Sequence, residues 1–219
     1  MSERTAWRLA WGLVGAMVAF GLWAWVQVPA GIRVATHFNL QGQPDDWSTP
    51  AFAFAFPPLL AAGVLAITRL VSRIDPRRDN MAASGKATAV ISVFVVLVLA
   101  MAQGAVTAVA LGRQVDVGGL TTFGIGLMLA GMGNVLPKLR SNYFFGIRTP
   151  WTLSDEQVWA RTHRFGGLVF VASGGLLMAA ALLPAGQDWR APLLSVLVPL
   201  ACLAPVGWSW WLWRRRHPR

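Results

Sequence analysis

ATAVISVFVVLVLAMAQGAVTAVAL, residues 87–111, carries no charged side chain from end to end. A helix rises 1.5 Å per residue, so about 20 apolar residues cross the ~30 Å hydrocarbon core of a bilayer. This stretch is long enough to do so alone. Inside lipid, backbone N–H and C=O groups find no water and must pair within the segment, so helix is the expected state. Five further runs of the same kind flank it: Ala6–Val28, Phe52–Leu70, Val117–Leu136, Phe165–Leu183 and Ala191–Trp213. The expected fold is all-α, a polytopic membrane protein with six transmembrane helices. Composition agrees, because only 13% of the 219 residues are charged, against about 25% in a soluble domain. A soluble globule and a disordered chain are excluded, and Cys202 as the single cysteine excludes a disulfide scaffold.

Two runs need closer reading. The first exceeds the apolar core of a secretory signal, about 7–15 residues, and no clear small-residue cleavage site follows, so it is expected to stay as a helix. The second opens with Phe52, Phe54 and Phe56 alternating with alanine, a strand-like pattern, before Pro57 and Pro58. Proline is tolerated in a first helical turn, which puts the expected helix start near Pro57.

The cations set the orientation. With the N-terminus inside, the inner segments hold Arg4 and Arg8; Arg69, Arg73, Arg77, Arg78 and Lys86; Lys138, Arg140, Arg148, Arg161 and Arg164; and Arg214, Arg215, Arg216 and Arg219. Only Arg33, Arg113 and Arg190 of the 19 Lys plus Arg fall outside. Cationic loops are retained on the cytoplasmic side, so both termini are expected in the cytoplasm of a bacterial plasma (inner) membrane. The net charge of +10 therefore meets anionic lipid, and no direct nucleic-acid binding is expected. Trp7, Trp23, Trp25, Trp47, Trp151, Trp189, Trp208 and Trp210 lie near the ends of the runs, where the indole ring favours the headgroup layer.

Within the spans, glycines at 124, 126, 131 and 133 and at 166, 167, 174 and 175 point to close helix packing. Pro199 and Pro205 in the last run are expected to bend it. Polar residues there are few: Gln103, expected to pair with another helix, Thr107 and Asn134. No Asp, Glu or Lys lies at mid-depth, which counts against an ion-coupled transporter but leaves a passive transporter or channel open.

Two hydrophilic segments are longer than a connection requires. The outer one, residues 29–50, holds His37-Phe38-Asn39 and then Gln41-Gly42-Gln43-Pro44-Asp45-Asp46, a composition that predicts a tight reversal. The reversal brings His37 within reach of Asp45 and Asp46. A weak metal site is one reading of that trio; a structural hydrogen bond from His37 into the turn is the favoured one. The inner segment, residues 137–164, contains Ser154-Asp155-Glu156-Gln157, read as a capping box with Ser154 as N-cap and Gln157 at the third helical position. The helix it starts would place Trp159 and His163 on one face and run into the fifth span. Physical reasoning alone leaves two roles open for this segment, an interfacial helix with Trp151 and Trp159 in lipid, and a cytoplasmic docking surface.

Together the two segments resemble the SdpI family of bacterial membrane proteins. The outer one resembles the family's amino-terminal DUF1648 region through His37-Phe38-Asn39, Gly42 and Pro44-Asp45, with Ala35 where many members have proline and Thr49-Pro50 replacing a common Ser-Lys ending. The inner one follows the family signature nearly continuously, through Pro137-Lys138, Asn142 to Ser154 with Gly146, Arg148, Thr149, Pro150 and Trp151, then Val158-Trp159 and Thr162-His163-Arg164. On this basis residues 1–71 form the DUF1648-like region, 72–116 a basic inner loop with the third span, 117–190 the signature region, and 191–219 the last span with its basic tail. The resemblance implies a non-enzymatic protein without cofactors. It implies immunity to a secreted peptide toxin and signalling through a cytoplasmic autorepressor. His37, Asn39, Gly42, Pro44 and Asp45 would then face the toxin. Asn142, Gly146, Arg148, Thr149, Pro150, Trp151, Asp155, Trp159 and His163 would face the repressor. The competing class is a membrane enzyme using His37 with Asp45 and Asp46, or Glu156 with His163, as acid/base groups. Metalloprotease, nucleophile-elbow and phosphate-loop motifs are missing from the sequence.

Overall fold

A computed structural model describes residues 1–29, 31–39, 41–184 and 189–218; Arg219, one of the tail cations, lies outside them. The chain runs α1 (Glu3–Gln27), β1 (Val34–Phe38), β2 (Pro44–Ser48), α2 (Pro50–Ile74), α3 (Arg78–Ala83), α4 (Gly85–Ala110), α5 (Val117–Val135), α6 (Pro150–Ser154), α7 (Glu156–Ala181) and α8 (Arg190–Arg216). A 3-10 turn, Leu136–Lys138, extends α5. Among the described residues, α1, α2, α4, α5 (with its 3-10 turn), α7 and α8 are long and apolar enough to cross a membrane. They are the six expected spans.

Helix starts follow local capping chemistry. Ser2 Oγ accepts the Thr5 N–H at 3.1 Å with Glu3 in the first turn, where negative charge suits the helix dipole. Thr49 Oγ1 accepts the Phe52 N–H at 3.3 Å and Pro50 takes the first helical position. The second span therefore begins at Pro50 and not near Pro57. The alternating Phe-Ala segment is helical because a cap and an N-terminal proline precede it. Pro57 and Pro58 fall inside the helix, and Pro58 cannot donate to the Phe54 carbonyl four residues back. Gln103 of α4 meets that oxygen: its Nε2 donates to Met17 O at 3.0 Å and reaches Phe54 O at 3.5 Å. Gln103 is thus the expected interhelical partner, joining α1, α2 and α4. Gly21 leaves room for the junction, since a Cβ there would sit 2.7 Å from Phe54 O.

The bundle has two groups of helices. Ala6, Ala10, Val14 and Met17 of α1 pack with Ala61 and Leu65 of α2 and Ala89, Val93 and Val96 of α4. A second core joins Leu129 of α5, Trp159, Phe170 and Leu177 of α7, and Leu194 and Ala201 of α8. Ala87 of α4 belongs to that second core, so α4 adjoins both groups. Large apolar side chains such as Leu22, Val26, Leu59, Leu168 and Leu182 point outward, as expected of helices solvated by lipid. Trp7 does not follow the interfacial expectation. It is buried, with the Arg69 guanidinium 4.0 Å above its ring, because its helix face is the one packed against α2 and α4. Trp23, Trp25, Trp47 and Trp210 are exposed.

The closest helix contact is between α5 and α7. A Cβ on Gly133 would lie 2.7 Å from Gly167 O, and one on Gly167 2.7 Å from Gly133 O. Gly126 and Gly174 are matched in the same reciprocal way two turns along the seam. Gly131 lies against the Phe94 ring of α4, and Gly166 against Ile147 and Pro205. Gly175 has open space around it, so the glycines are not equivalent.

Candidate functional site

The outer segment folds as an antiparallel hairpin, β1 against β2, with irregular register around His37. Asn39 builds its turn: the side-chain oxygen accepts N–H groups from Gln41 at 3.0 Å and Gln43 at 2.9 Å, and the Gly42 N–H donates to Asn39 O at 2.8 Å. Gly42 has φ +78°, the left-handed region where a side chain is strained. A Cβ there would also lie 2.7 Å from Gly118 N, so the turn rests on the start of α5. His37 Nδ1 and Asp45 Oδ1 are 2.6 Å apart, the expected bond into the turn. The Asp46 carboxylate accepts the Trp47 N–H at 2.8 Å. Among the described residues no group of three His, Cys, Asp or Glu converges on a point. The side chains of His37 and Asp45 are 68% and 43% exposed, and an ion pair at such a site contributes little stability. Pro44 is exposed at the start of β2.

Beside the hairpin lies a cavity of about 300 Å³. Phe52, Phe56 and Leu60 of α2 and Leu99 and Val106 of α4 give it an apolar lining, to which the hairpin adds His37 and Asp46. Apolar walls with a few polar groups on one side suit an amphipathic ligand.

The signature loop lies at the opposite end of the helices, between α5 and α7, and hydrogen bonds fix its shape. Asn142 Oδ1 accepts the N–H groups of Phe144 (2.9 Å) and Phe145 (2.7 Å), and its Nδ2 donates to Arg140 O at 2.8 Å. Thr149 and Thr152 form a reciprocal capping box for α6, with Pro150 at its first position. The N-cap of α7 is Asp155, not Ser154: its Oδ1 accepts the N–H of Gln157 at 2.7 Å and Val158 at 3.1 Å. Ser154 is unavailable because it is the last residue of α6, while Asp155 adopts the extended backbone that a cap requires. Asp155 also meets Arg216 at 2.8 Å. Burial disfavours the charged carboxylate, but Arg216 and the two backbone donors outweigh it and hold Asp155 below the ordinary carboxylate range.

Trp159 and His163 do share a face, with rings stacked 4.0 Å apart. Both are buried among protein groups, so Trp159 is not a lipid anchor. Its Nε1 donates to Leu139 O at 2.8 Å. His163 Nε2 accepts the Ile147 N–H at 3.0 Å while Nδ1 faces Trp159 O at 2.9 Å. An acceptor nitrogen carries no proton, so this geometry describes a neutral ring protonated at Nδ1. Gly146, at φ +103°, lies against His163 Nε2, which accounts for glycine in the signature. Trp151 Nε1 donates to Ser209 Oγ of α8. Asn142, Thr149, Trp159 and His163 are therefore internal struts, while of the residues expected to face a partner Gly146, Arg148 and Pro150 are exposed, alongside Tyr143 and Ser154. Glu156 and His163 do not meet as an acid/base pair, since both His163 nitrogens are taken by backbone groups.

A third group gave no sequence signal. Asp75, at the end of α2, is fully buried; its carboxylate accepts the Arg77 N–H at 2.7 Å and the Tyr143 N–H at 2.9 Å. Arg77 donates to Ser141 Oγ and, at 2.7 Å, to Leu153 O. Asn80 Nδ2 donates to Ser141 O at 2.9 Å. Residues read as a basic connection thus bind the first helix group to the signature loop. At the other end, Arg190 meets Asp116 at 2.6 Å and Leu183 O at 2.6 Å. A buried acceptor 68 residues from its donor leaves no periodicity or motif in a single chain.

Residues 138–209 match the SdpI/YfhL protein family, and residues 12–62 match a domain of unknown function, DUF1648. The signature loop and the hairpin lie within those two matches. This is an SdpI family protein. It is 32% identical over 93 residues to the immunity protein SdpI of Bacillus subtilis (strain 168), a match covering 42% of this chain and 44% of that relative. The chain thus matches less than half the length of this relative. No solved structure matches the chain. With its six long apolar helices, this SdpI family member is a multi-pass membrane protein.

Proposed function

We propose that this SdpI family protein confers immunity to a secreted antimicrobial peptide, without enzymatic chemistry, from the bacterial plasma membrane. The observation that carries the reading is the largely apolar cavity beside the hairpin, with its few polar groups on one side, on the face expected to lie outside from the 16:3 distribution of cations. An apolar peptide side chain fills the α2–α4 part, while His37, Asp45 and Asp46 engage polar or cationic groups of the same peptide. The likeness to a protein named for immunity supports this role. Both termini, with the exposed Arg148 and Pro150, then face the cytoplasm, where they dock an autorepressor.

The two ends communicate through α2. Thr49 and Pro50 join its first turn to the hairpin, and Asp75 at its other end holds Tyr143 of the signature loop. A peptide favouring one placement of α2 changes repressor affinity only by its own difference in affinity for the two placements, typically about 1–3 kcal/mol. The test is survival of a sensitive bacterium expressing the full chain, challenged with a panel of secreted killing peptides. Ala102 of α4 also lines the cavity; protection by the native chain, lost on Ala102→Phe at equal membrane abundance because the side chain occupies the cavity, is the expected result. An equally protected Ala102→Phe strain, or no protection against any peptide, defeats the proposal.

A further inference from the structure

A second cavity, of about 610 Å³, opens at the signature-loop end and is lined by Lys138, Arg140, Ser141, Glu156, Trp159 and Arg164 among others. Three exposed cations line it with one exposed carboxylate, and none of the three side chains has an ion-pair or hydrogen-bond partner among the described residues. Like charges brought together without partners repel one another and are stabilised by a bound anion. The depth of the cavity is set by the α5–α7 seam. Gly133 faces Gly167 and Pro137 touches Gly167, so Arg164, nearly one turn before Gly167, stands level with the Pro137–Lys138 end of the α5 span. Leu168, one turn further along the same face of α7, is 70% exposed. Cationic groups therefore end where an unpartnered apolar surface begins, the layering of a phospholipid turned inside out.

We infer that this cavity binds the phosphodiester headgroup of an anionic phospholipid, with an acyl chain laid along Leu168. Lys138 and Arg164 flank the phosphate, Arg140 adds the third positive charge, and Glu156 limits affinity by opposing it. Basic pockets between spanning helices bind such headgroups by charge and by donors in the interfacial layer. The inference is independent of the immunity reading, since it needs neither a toxin nor a repressor.

Native mass spectrometry of the purified full chain, titrated with phosphatidylglycerol or phosphatidylcholine of the same acyl length, tests it. Phosphatidylglycerol is expected to bind in preference. A cation near a membrane surface is worth about fivefold in binding, so Lys138→Gln/Arg164→Gln should weaken it about 25-fold. The charge-matched control Arg4→Gln/Arg8→Gln should leave it unchanged. Glu156→Gln, at an exposed first-turn position, should tighten binding several-fold and needs no cation removed. Equal binding of the two lipids, an equal loss in the control pair, or no gain with Glu156→Gln overturns the inference. Full displacement by soluble glycerol phosphate would show a free-phosphate site and overturn it as well; the acyl contact predicts weak competition.

Discussion

Replacing Gly133 with alanine tests the α5–α7 seam directly. The new methyl would lie 2.7 Å from Gly167 O and 2.8 Å from Phe170 Cβ, whereas ordinary contact begins at 3.4 Å. Backbone atoms in two packed helices cannot rotate away, so the helices must separate locally by about 0.7 Å. A gap of that size forfeits roughly a quarter to a half of the dispersion attraction of each atom pair across it. Overpacking of this kind costs about 1–3 kcal/mol. Gly63→Ala provides the opposite sign, because nothing lies within 4 Å of its Cβ position and alanine favours helix by up to about 1 kcal/mol over glycine. Reversible unfolding in mixed micelles, followed by tryptophan fluorescence, separates the two. Gly133→Ala should lose stability while Gly63→Ala holds or gains it. Since Gly133 and Gly167 occupy the two sides of one contact, Gly133→Ala/Gly167→Ala should cost clearly less than the sum of the single changes. Equal, small effects at Gly133 and Gly63 would refute the claim that backbone proximity determines this interface.

Three other perturbations read different parts of the molecule. Asp75→Asn retains only one acceptor oxygen for the Arg77 and Tyr143 N–H groups; a loss of about 1–3 kcal/mol and faster proteolysis between residues 140 and 150 are expected, and a native cleavage pattern would contradict the strut role. Gln103→Leu leaves the Phe54 carbonyl without its donor and should cost about 0.6–1.7 kcal/mol, the range for interhelical side-chain hydrogen bonds in membranes, measured by the same unfolding assay. For Asp116, burial opposes the charged form, but the Gly119 N–H and Arg190 outweigh it and hold the carboxylate below its ordinary range. A carboxylate depressed on folding contributes its full stability above the unfolded pKa, about 3.9, and loses it as pH falls through the depressed value. Melting temperature against pH should therefore fall on the acid side of about pH 4, with a shallower fall in Asp116→Asn.

The sequence was informative where one rule governs a long stretch. Six spans follow from hydrophobic length, and Gln103 as interhelical glue follows from the rarity of amides in lipid. The His37–Asp45 contact follows from a turn-forming composition between them. Local competition was harder to read. Ser154 and Asp155 are both good caps, and the choice depends on α6 having already taken Ser154. Pro57 looks like a helix start until Thr49 and Pro50 are recognised as an earlier one. Burial of Trp159 and His163 could not be read at all, because an aromatic pair on one helix face looks the same toward lipid, water or another helix. Least legible were Asp75 and Arg77, whose partners lie 64 to 76 residues away.

The Asp75 strut constrains how such a chain can be divided or recombined. The regions matched as DUF1648 and as the SdpI family look like separable cassettes on a linear map, with residues 63–137 between them. The carboxylate that orders the start of the signature loop, however, is carried by the helix that leaves the first cassette. A fragment containing only the second region would expose the Tyr143 N–H and lose the Arg77 donors to Ser141 and Leu153. A chimera that exchanges the first region must keep the segment from Asp75 to Asn80, or supply its own acceptor at that depth. A junction in the connection after α4, beyond Gly112, would part Asp75 and Arg77 from Tyr143, Ser141 and Leu153, so the join belongs before Asp75.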